Sequence, residues 1–134
     1  MSLSADRNTP MKDGGIIPVP VATNVKIYAG SLVAANASGY ATPGAVATTL
    51  TYLGRAEEQV DNTGGANGDK TINIRRKKVF KWKNHGADAV TQAELGQTCY
   101  IVDDETVAKT DGTDTRSVAG KVVGVDSDGV WVEG

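Results

Sequence analysis

The stretch Thr71–Lys83, "TINIRRKKVFKWK", is the longest strand candidate in the chain and decides how the rest is read. Strand geometry sends successive side chains to opposite faces. One face then carries Ile72, Ile74, Arg76, Lys78, Phe80 and Trp82, and the other carries Thr71, Asn73, Arg75, Lys77, Val79, Lys81 and Lys83. The first face is core-like at both ends and cationic in the middle. Since the chain holds only seven aromatic residues, Phe80 and Trp82 are expected inside it. Arg76 and Lys78 imply that the strand leaves the wall of its sheet at mid-length. A charged strand that protrudes is either an edge protected against aggregation or a docking surface. A nucleic-acid site would instead need aromatics and bases exposed together as a stacking platform beside a charged track.

Charge outside this stretch favours protein over polyanion. From Lys70 to Lys83 there are seven basic residues and no acid, whereas the other 120 residues hold seven bases and 16 acids. From Asn84 to Gly134, ten acids face only Lys109, Arg116 and Lys121. A single basic segment in a chain of net charge −2 is a pattern for docking or self-association.

The remaining segments read as short strands. Sixteen glycines punctuate runs rich in Val, Ile, Thr and Ala. "IIPVPVA" from Ile16 carries Pro18 and Pro20, which remove two ladder donors on one side and confine it to an edge. "VKIYAG", "SLVAAN", "YATPG" and "TYLGRAEEQV" follow, the last with an expected break at Gly54. "DNTGGANGDK" reads as a loop. After the basic stretch come "TCYIVDD", "TVAKT", "SVAGKVVGV" and "VWVEG". One short helical turn is expected, with Thr91 as cap, Glu94 three residues on and Gly96 as terminator. Residues 1–15 are polar and aperiodic and read as an extended arm preceding a single β-barrel domain over residues 16–134.

The chain also echoes itself. "GSLVAANASGYATP" at Gly30 has a counterpart in "GQTCYIVDDETVAKT" at Gly96, and "YLGRAEEQV" at Tyr52 has one in "VAGKVVGVD" at Val118. Gly30 to Gly96, Gly54 to Gly120 and Arg55 to Lys121 share an offset of 66 residues. This is either an internal duplication or convergent hairpin patterning. Both lead to the same fold class: all-β, a small β-barrel or sandwich of short antiparallel strands with at most one short helix.

Catalytic and metal-binding options are few. Cys99 is the lone cysteine and, within "TCYIV", reads as a small core hydrophobe. His85 is the lone histidine, so any nucleophile–base pair would have to be built around it. Asp103-Asp104-Glu105, Asp111 with Asp114, and Asp126 with Asp128 fall where hairpin turns are expected, and aspartate is itself a turn residue. "DSDGVWVEG" begins like a calcium loop and then runs into a strand. "NTGGANGDK" lacks the spacing of a phosphate-cradling loop. No enzyme activity and no cofactor is expected. The first residues lack the apolar run of a signal peptide, and no window reaches the ~20 apolar residues of a membrane span. The expected setting is a reducing compartment.

The order of these elements resembles the capsid cement, or head decoration, proteins of tailed bacteriophages, a family of small β-barrels. The resemblance covers residues 16–134 and is carried chiefly by "LGQTCYIVDDETVAKT" and "VAGKVVGVDSDGVWVEG". Where this family often has glycine near position 78, this chain has Lys78. The resemblance implies a structural virion protein on the outer surface of the capsid, assembled in the bacterial host cytoplasm. It would bridge major capsid protein subunits and associate with itself as a trimer or dimer at local symmetry axes. The contact residues expected on that reading are Arg7, Asn8, Pro10 and Lys12 on the arm, with Arg75, Arg76, Lys77, Lys78, Lys81 and Lys83 on the basic strand. The alternatives are a nucleic-acid-binding barrel using residues 74–83, or a structural barrel of a phage tail or baseplate.

Overall fold

The computed structural model describes residues 2–134. Residues 2–15 form no strand and lie extended on the surface, and the body beyond them is all-β. In chain order the strands are β1 (Ile16–Pro20), β2 (Lys26–Ile27), β3 (Leu32–Ala35), β4 (Ala41–Pro43), β5 (Thr51–Ala56), β6 (Val60–Asp61) and β7 (Thr71–Arg75). They continue with β8 (Val79–Asn84), β9 (Thr98–Ile101), β10 (Thr106–Ala108), β11 (Val118–Asp126) and β12 (Gly129–Glu133). A 3₁₀ turn at Gln92–Glu94 sits between β8 and β9 with the Thr91–Glu94 capping box in place. It is the short helical element that the sequence predicts. No helix among the described residues is long and apolar enough to cross a membrane.

Two five-stranded units make up the body. Unit one is a sheet in the order β1-β7-β5-β3-β4, and unit two is a closed barrel in the order β8-β12-β11-β9-β10. Taking β1, β3, β4, β5 and β7 in turn as counterparts of β8, β9, β10, β11 and β12 makes the two orders identical. The correspondence extends to individual pairs. Leu32, Val33 and Ala34 of β3 face Arg55, Gly54 and Tyr52 of β5, with a bulge between Val33 and Ala34. Thr98, Cys99 and Tyr100 of β9 face Lys121, Gly120 and Val118 of β11, with a bulge at the same place. Every one of these residues is 66 positions from its counterpart. The sequence echo therefore reflects a repeated fold, register for register.

The glycine of each repeat has a packing reason. A Cβ on Gly54 would collide with the Arg75 carbonyl oxygen, and one on Gly120 with that of Glu133. These are equivalent contacts, because Arg75 faces Arg55 and Glu133 faces Lys121. Gly54 thus lies within β5 beside its bulge and does not end the strand as its sequence suggests; its φ of +151° is a conformation that favours glycine.

The two units differ in closure, and proline is the cause. Ala22 N–H donates to the Ala41 carbonyl at 2.9 Å, and His85 N–H donates to the equivalent Val107 carbonyl at 2.9 Å. This alignment makes Pro20 the counterpart of Lys83. Lys83 N–H donates to the Glu105 carbonyl at 2.7 Å, and β8 and β10 pair in parallel to close barrel two. Pro20 has no such donor, so β1 and β4 meet only through the parallel bridge Val21–Ala41. Pro18 and Pro20 turn their nitrogens away from β7, which bonds β1 through the residues between them. The edge position expected for this strand is correct.

The stretch 71–83 is not one strand. It comprises β7 in unit one and β8 in unit two, joined by a crossover at Arg76, Lys77 and Lys78 in which Lys77 has φ +61°. Alternation places the right residues inside, yet in two different interiors. Ile72 and Ile74 join Val19, Val21, Ile27, Val33, Ala41 and Ala56 in the core of unit one. Phe80 and Trp82 join Val90, Cys99, Ile101, Val107, Val122, Val130 and Val132 in barrel two. Between the cores lies β3, whose Val33 faces the first while Leu32 and Ala34 pack on the second.

Unit one stoppers barrel two. Leu32 N–H donates to the Asp104 carbonyl at 2.7 Å, and Leu50 N–H to Ser117 Oγ at 3.0 Å. Tyr52 reaches the mouth of the barrel beside Gly134, Trp82 and Cys99. Its hydroxyl is buried without a hydrogen-bond partner, as is the Trp82 indole nitrogen. The two lie close enough for the indole to favour the phenolate, but fall short of hydrogen-bond geometry. Desolvation dominates and pushes the Tyr52 pKa up to about 12.

Candidate docking surface

The basic residues expected to act together divide into two groups. Arg75 is held by Glu57 at 3.2 Å, and the same carboxylate takes Arg55 at 2.7 Å. These hydrogen bonds, first from Arg55 and then from Arg75, lower the Glu57 pKa. Lys81 pairs with Asp128 at 3.0 Å and lies 5.5 Å from the centre of the Trp131 ring. Lys83 pairs with Glu105 at 3.0 Å. These three cations are therefore engaged by the hairpins around them. Arg76, Lys77 and Lys78 have no carboxylate within ion-pair distance among the described residues. The free charge of the basic stretch is concentrated at the crossover.

The arm starts at that crossover. Arg76 N–H donates to the Gly15 carbonyl at 2.8 Å, and Asp13 Oδ1 accepts from Gly15 N–H at 3.1 Å. Gly14 lies against the Lys77 ammonium, where a Cβ would come within 3.0 Å of Nζ. Arg7, Asn8, Pro10 and Lys12 are all exposed along the arm, and Arg7 donates to its neighbour Thr9. Leu3 and Met11 stand 74% and 98% exposed, so the arm carries apolar side chains that nothing among the described residues covers. Two regions expected to make contacts, separated in sequence by sixty residues, thus share one root.

A further part of this surface escapes strand-by-strand reading. Lys121 and Val118 of β11 and Thr98 of β9 line a groove with Lys77, Lys78 and Val79. The sequence signal that marks them is the 66-residue echo, which pairs Lys121 with Arg55 and Val118 with Tyr52.

Other candidate groups have structural duties. Phe80 and Trp82 are 9% and 6% exposed inside barrel two, so neither offers a face for stacking bases. Asp103 accepts from Glu105 N–H at 2.9 Å, Asp111 from Thr113 N–H at 3.2 Å, and Asp126 from the Trp131 indole at 2.8 Å. Each carboxylate stabilises its own turn. Burial, then the neighbouring Asp103 and Glu105, raises the Asp104 pKa. His85 Nδ1 accepts from Asp88 N–H at 2.9 Å, which fixes the turn after β8. Cys99 is fully buried, and desolvation lifts its thiol to about 11, far from a reactive thiolate at neutral pH. No group of three or more His, Cys, Asp or Glu residues is placed to hold a metal among the described residues.

No family model, curated protein or solved structure matches this chain.

Proposed function

We propose that this chain is a structural virion protein that decorates the exterior of a tailed-phage capsid and stabilises it by bridging major capsid subunits. The observation that carries the reading is the shared root of the arm and the free cations. An extended segment with uncovered Leu3 and Met11 leaves the body beside Arg76, Lys77 and Lys78, where backbone hydrogen bonding to Gly15 fixes its departure. Such an arm orders along a neighbour and covers much surface from a small body. The inert interiors of both units suit a clamp that binds many equivalent sites on a shell, alone or as a trimer or dimer at its local symmetry axes. Each specific contact would bury on the order of 1,000 Å² or more. Many modest contacts acting together then give large shell stabilisation.

Cryo-EM of particles with and without the protein tests this reading, together with their resistance to heat. Added density on the shell exterior and a higher disruption temperature are the expected results. Removal of residues 2–14 should leave the thermal transition of the body unchanged and weaken particle binding at least about tenfold, as loss of one of two linked contacts implies. Particles that bind no copy, and disrupt at the same temperature either way, would refute it.

A further inference from the structure

The internal repeat singles out a surface that one half of the molecule uses as an interface and the other half leaves open. On unit one, the outer face of β3 and β5 is covered. Leu32, Ala34 and Tyr52 pack on the mouth of barrel two, and the Arg55 guanidinium lies 4.9 Å from the centre of the Phe80 ring. The counterparts on unit two are Thr98, Tyr100, Val118 and Lys121 on the outer face of β9 and β11. Thr98 and Tyr100 are half-buried, whereas Val118 and Lys121 are exposed. Val118 is 51% exposed and Val79, across the groove, is 41% exposed.

The face keeps one cation, since Lys121 is the counterpart of Arg55, and the crossover beside it adds two more. Lys77 and Lys78 from the crossover and Lys121 from β11 line the groove, and none has a carboxylate within ion-pair distance among the described residues. Glu133 is the one acidic side chain among the residues lining it. Simple continuation of the repeat would seat a second copy here by the end of its unit one. That end would bring Ile17 as the counterpart of Phe80 and Arg75 as the counterpart of Glu133, with Arg76 beside it. Arg75 is engaged by Glu57, but Arg76 has no carboxylate within ion-pair distance among the described residues and would face the groove lysines, which disfavours the second copy as occupant.

We propose that the groove between the β7–β8 crossover and the outer face of β9 and β11 is a docking seat for an acidic, extended segment of a partner protein. Carboxylates of that segment would meet Lys77, Lys78 and Lys121 while its apolar side chains cover Val79 and Val118. Only the identity of the partner as a shell subunit rests on the proposed function; the chemistry of the seat stands on the charges and the repeat.

The test uses the full chain labelled with ¹⁵N and a short synthetic peptide of alternating glutamate and valine. Amide shifts should concentrate at Lys78, Val79, Thr98, Val118 and Lys121. The double variant K78E/K121E should keep its thermal transition and bind the peptide at least about tenfold more weakly, whereas K26E on the distant β2 should bind as wild type. The proposal is overturned by shifts mapping elsewhere, by equal binding of a lysine–valine peptide, or by unchanged affinity in K78E/K121E. It is also overturned if the same amides shift on raising protein concentration alone, or shift more strongly with a DNA oligonucleotide than with the peptide. Peptide binding at the seat with undiminished particle binding by K78E/K121E would keep the seat and refute its assignment to the shell. Particle binding with no peptide shifts at the seat would do the reverse.

Discussion

Tyr52 is the joint between the two units, and its substitution tests that arrangement quantitatively. The ring fills the mouth of barrel two beside Trp82 and Cys99, while its hydroxyl is buried with no hydrogen-bond partner. Tyr52→Phe keeps the ring and removes an unsatisfied polar atom, whose burial costs on the order of 1 kcal/mol or more. The variant should therefore be as stable as wild type at pH 7, or more stable by about 1 kcal/mol. Tyr52→Ala empties the mouth and should cost about 3 kcal/mol, at the lower end for an aromatic truncation because the ring is only partly buried.

Alkaline pH gives the second readout for this residue. The folded-state pKa of Tyr52 is raised from 10.0 to about 12, so the fold favours the neutral phenol. Its contribution is fully present below pH 10 and is lost as pH rises through about 12. A shift of this size corresponds to roughly 2–3 kcal/mol. Cys99 adds a similar loss between 9.0 and about 11, common to wild type and Tyr52→Phe. Urea unfolding followed by tryptophan fluorescence from pH 8 to pH 12 should show a shallower decline for Tyr52→Phe (on the order of 2 kcal/mol in all). Parallel declines would mean that the phenol is solvated. A loss of stability beyond about 1 kcal/mol at pH 7 would mean that its hydroxyl is satisfied, and the account of the joint would be wrong.

Three further outcomes follow from the same geometry. Gly54→Ala and Gly120→Ala should each cost about 2 kcal/mol or more by thermal unfolding, because each Cβ meets a backbone carbonyl of the neighbouring strand; a near-neutral result at either would break the equivalence of the repeats. Asp88 accepts from Thr110 and from Arg116 at 2.9 Å, and these bonds, Thr110 first, lower its pKa from 3.8. Asp88→Asn should cost about 2 kcal/mol at pH 7. The difference should persist above pH 4 and shrink as pH falls below 3.8 through the depressed folded-state value, as urea titrations across that range would show. Finally, single-stranded DNA should bind weakly or not at all at ~50 mM salt, since the aromatics of the basic run are buried; tight binding with a steep salt slope would favour a nucleic-acid partner.

Much of this architecture was legible in the sequence because local rules fix it. Period-two alternation placed Ile72, Ile74, Phe80 and Trp82 inside, since a pleated strand has only two faces to offer. Pro18 and Pro20 marked an edge because a missing N–H has the same consequence in any fold. The 66-residue echo registered the repeat because equivalent bulges demand glycine at Gly54 and Gly120. Position in space was a different matter. Alternation does not say which interior a face belongs to, so the halves of residues 71–83 read as one strand although they line separate cores. The turn between them has a lysine, not glycine, at positive φ, so Arg76 and Lys78 on the inward face marked a departure from the sheet but not a crossover into a second core. The partition of the cations was equally hidden. Lys81 is neutralised by Asp128, 47 residues away, only because β8 and β12 pair in one particular register. Lys77 and Lys78 remain free, and Lys121 joins them, only because β8 and β11 both pair with β12 and so share one rim. Sequence settled which residues are buried, since burial follows from hydrophobicity and a two-fold period. Tertiary structure alone decided which charges are left without partners, because that depends on contacts between strands far apart along the chain.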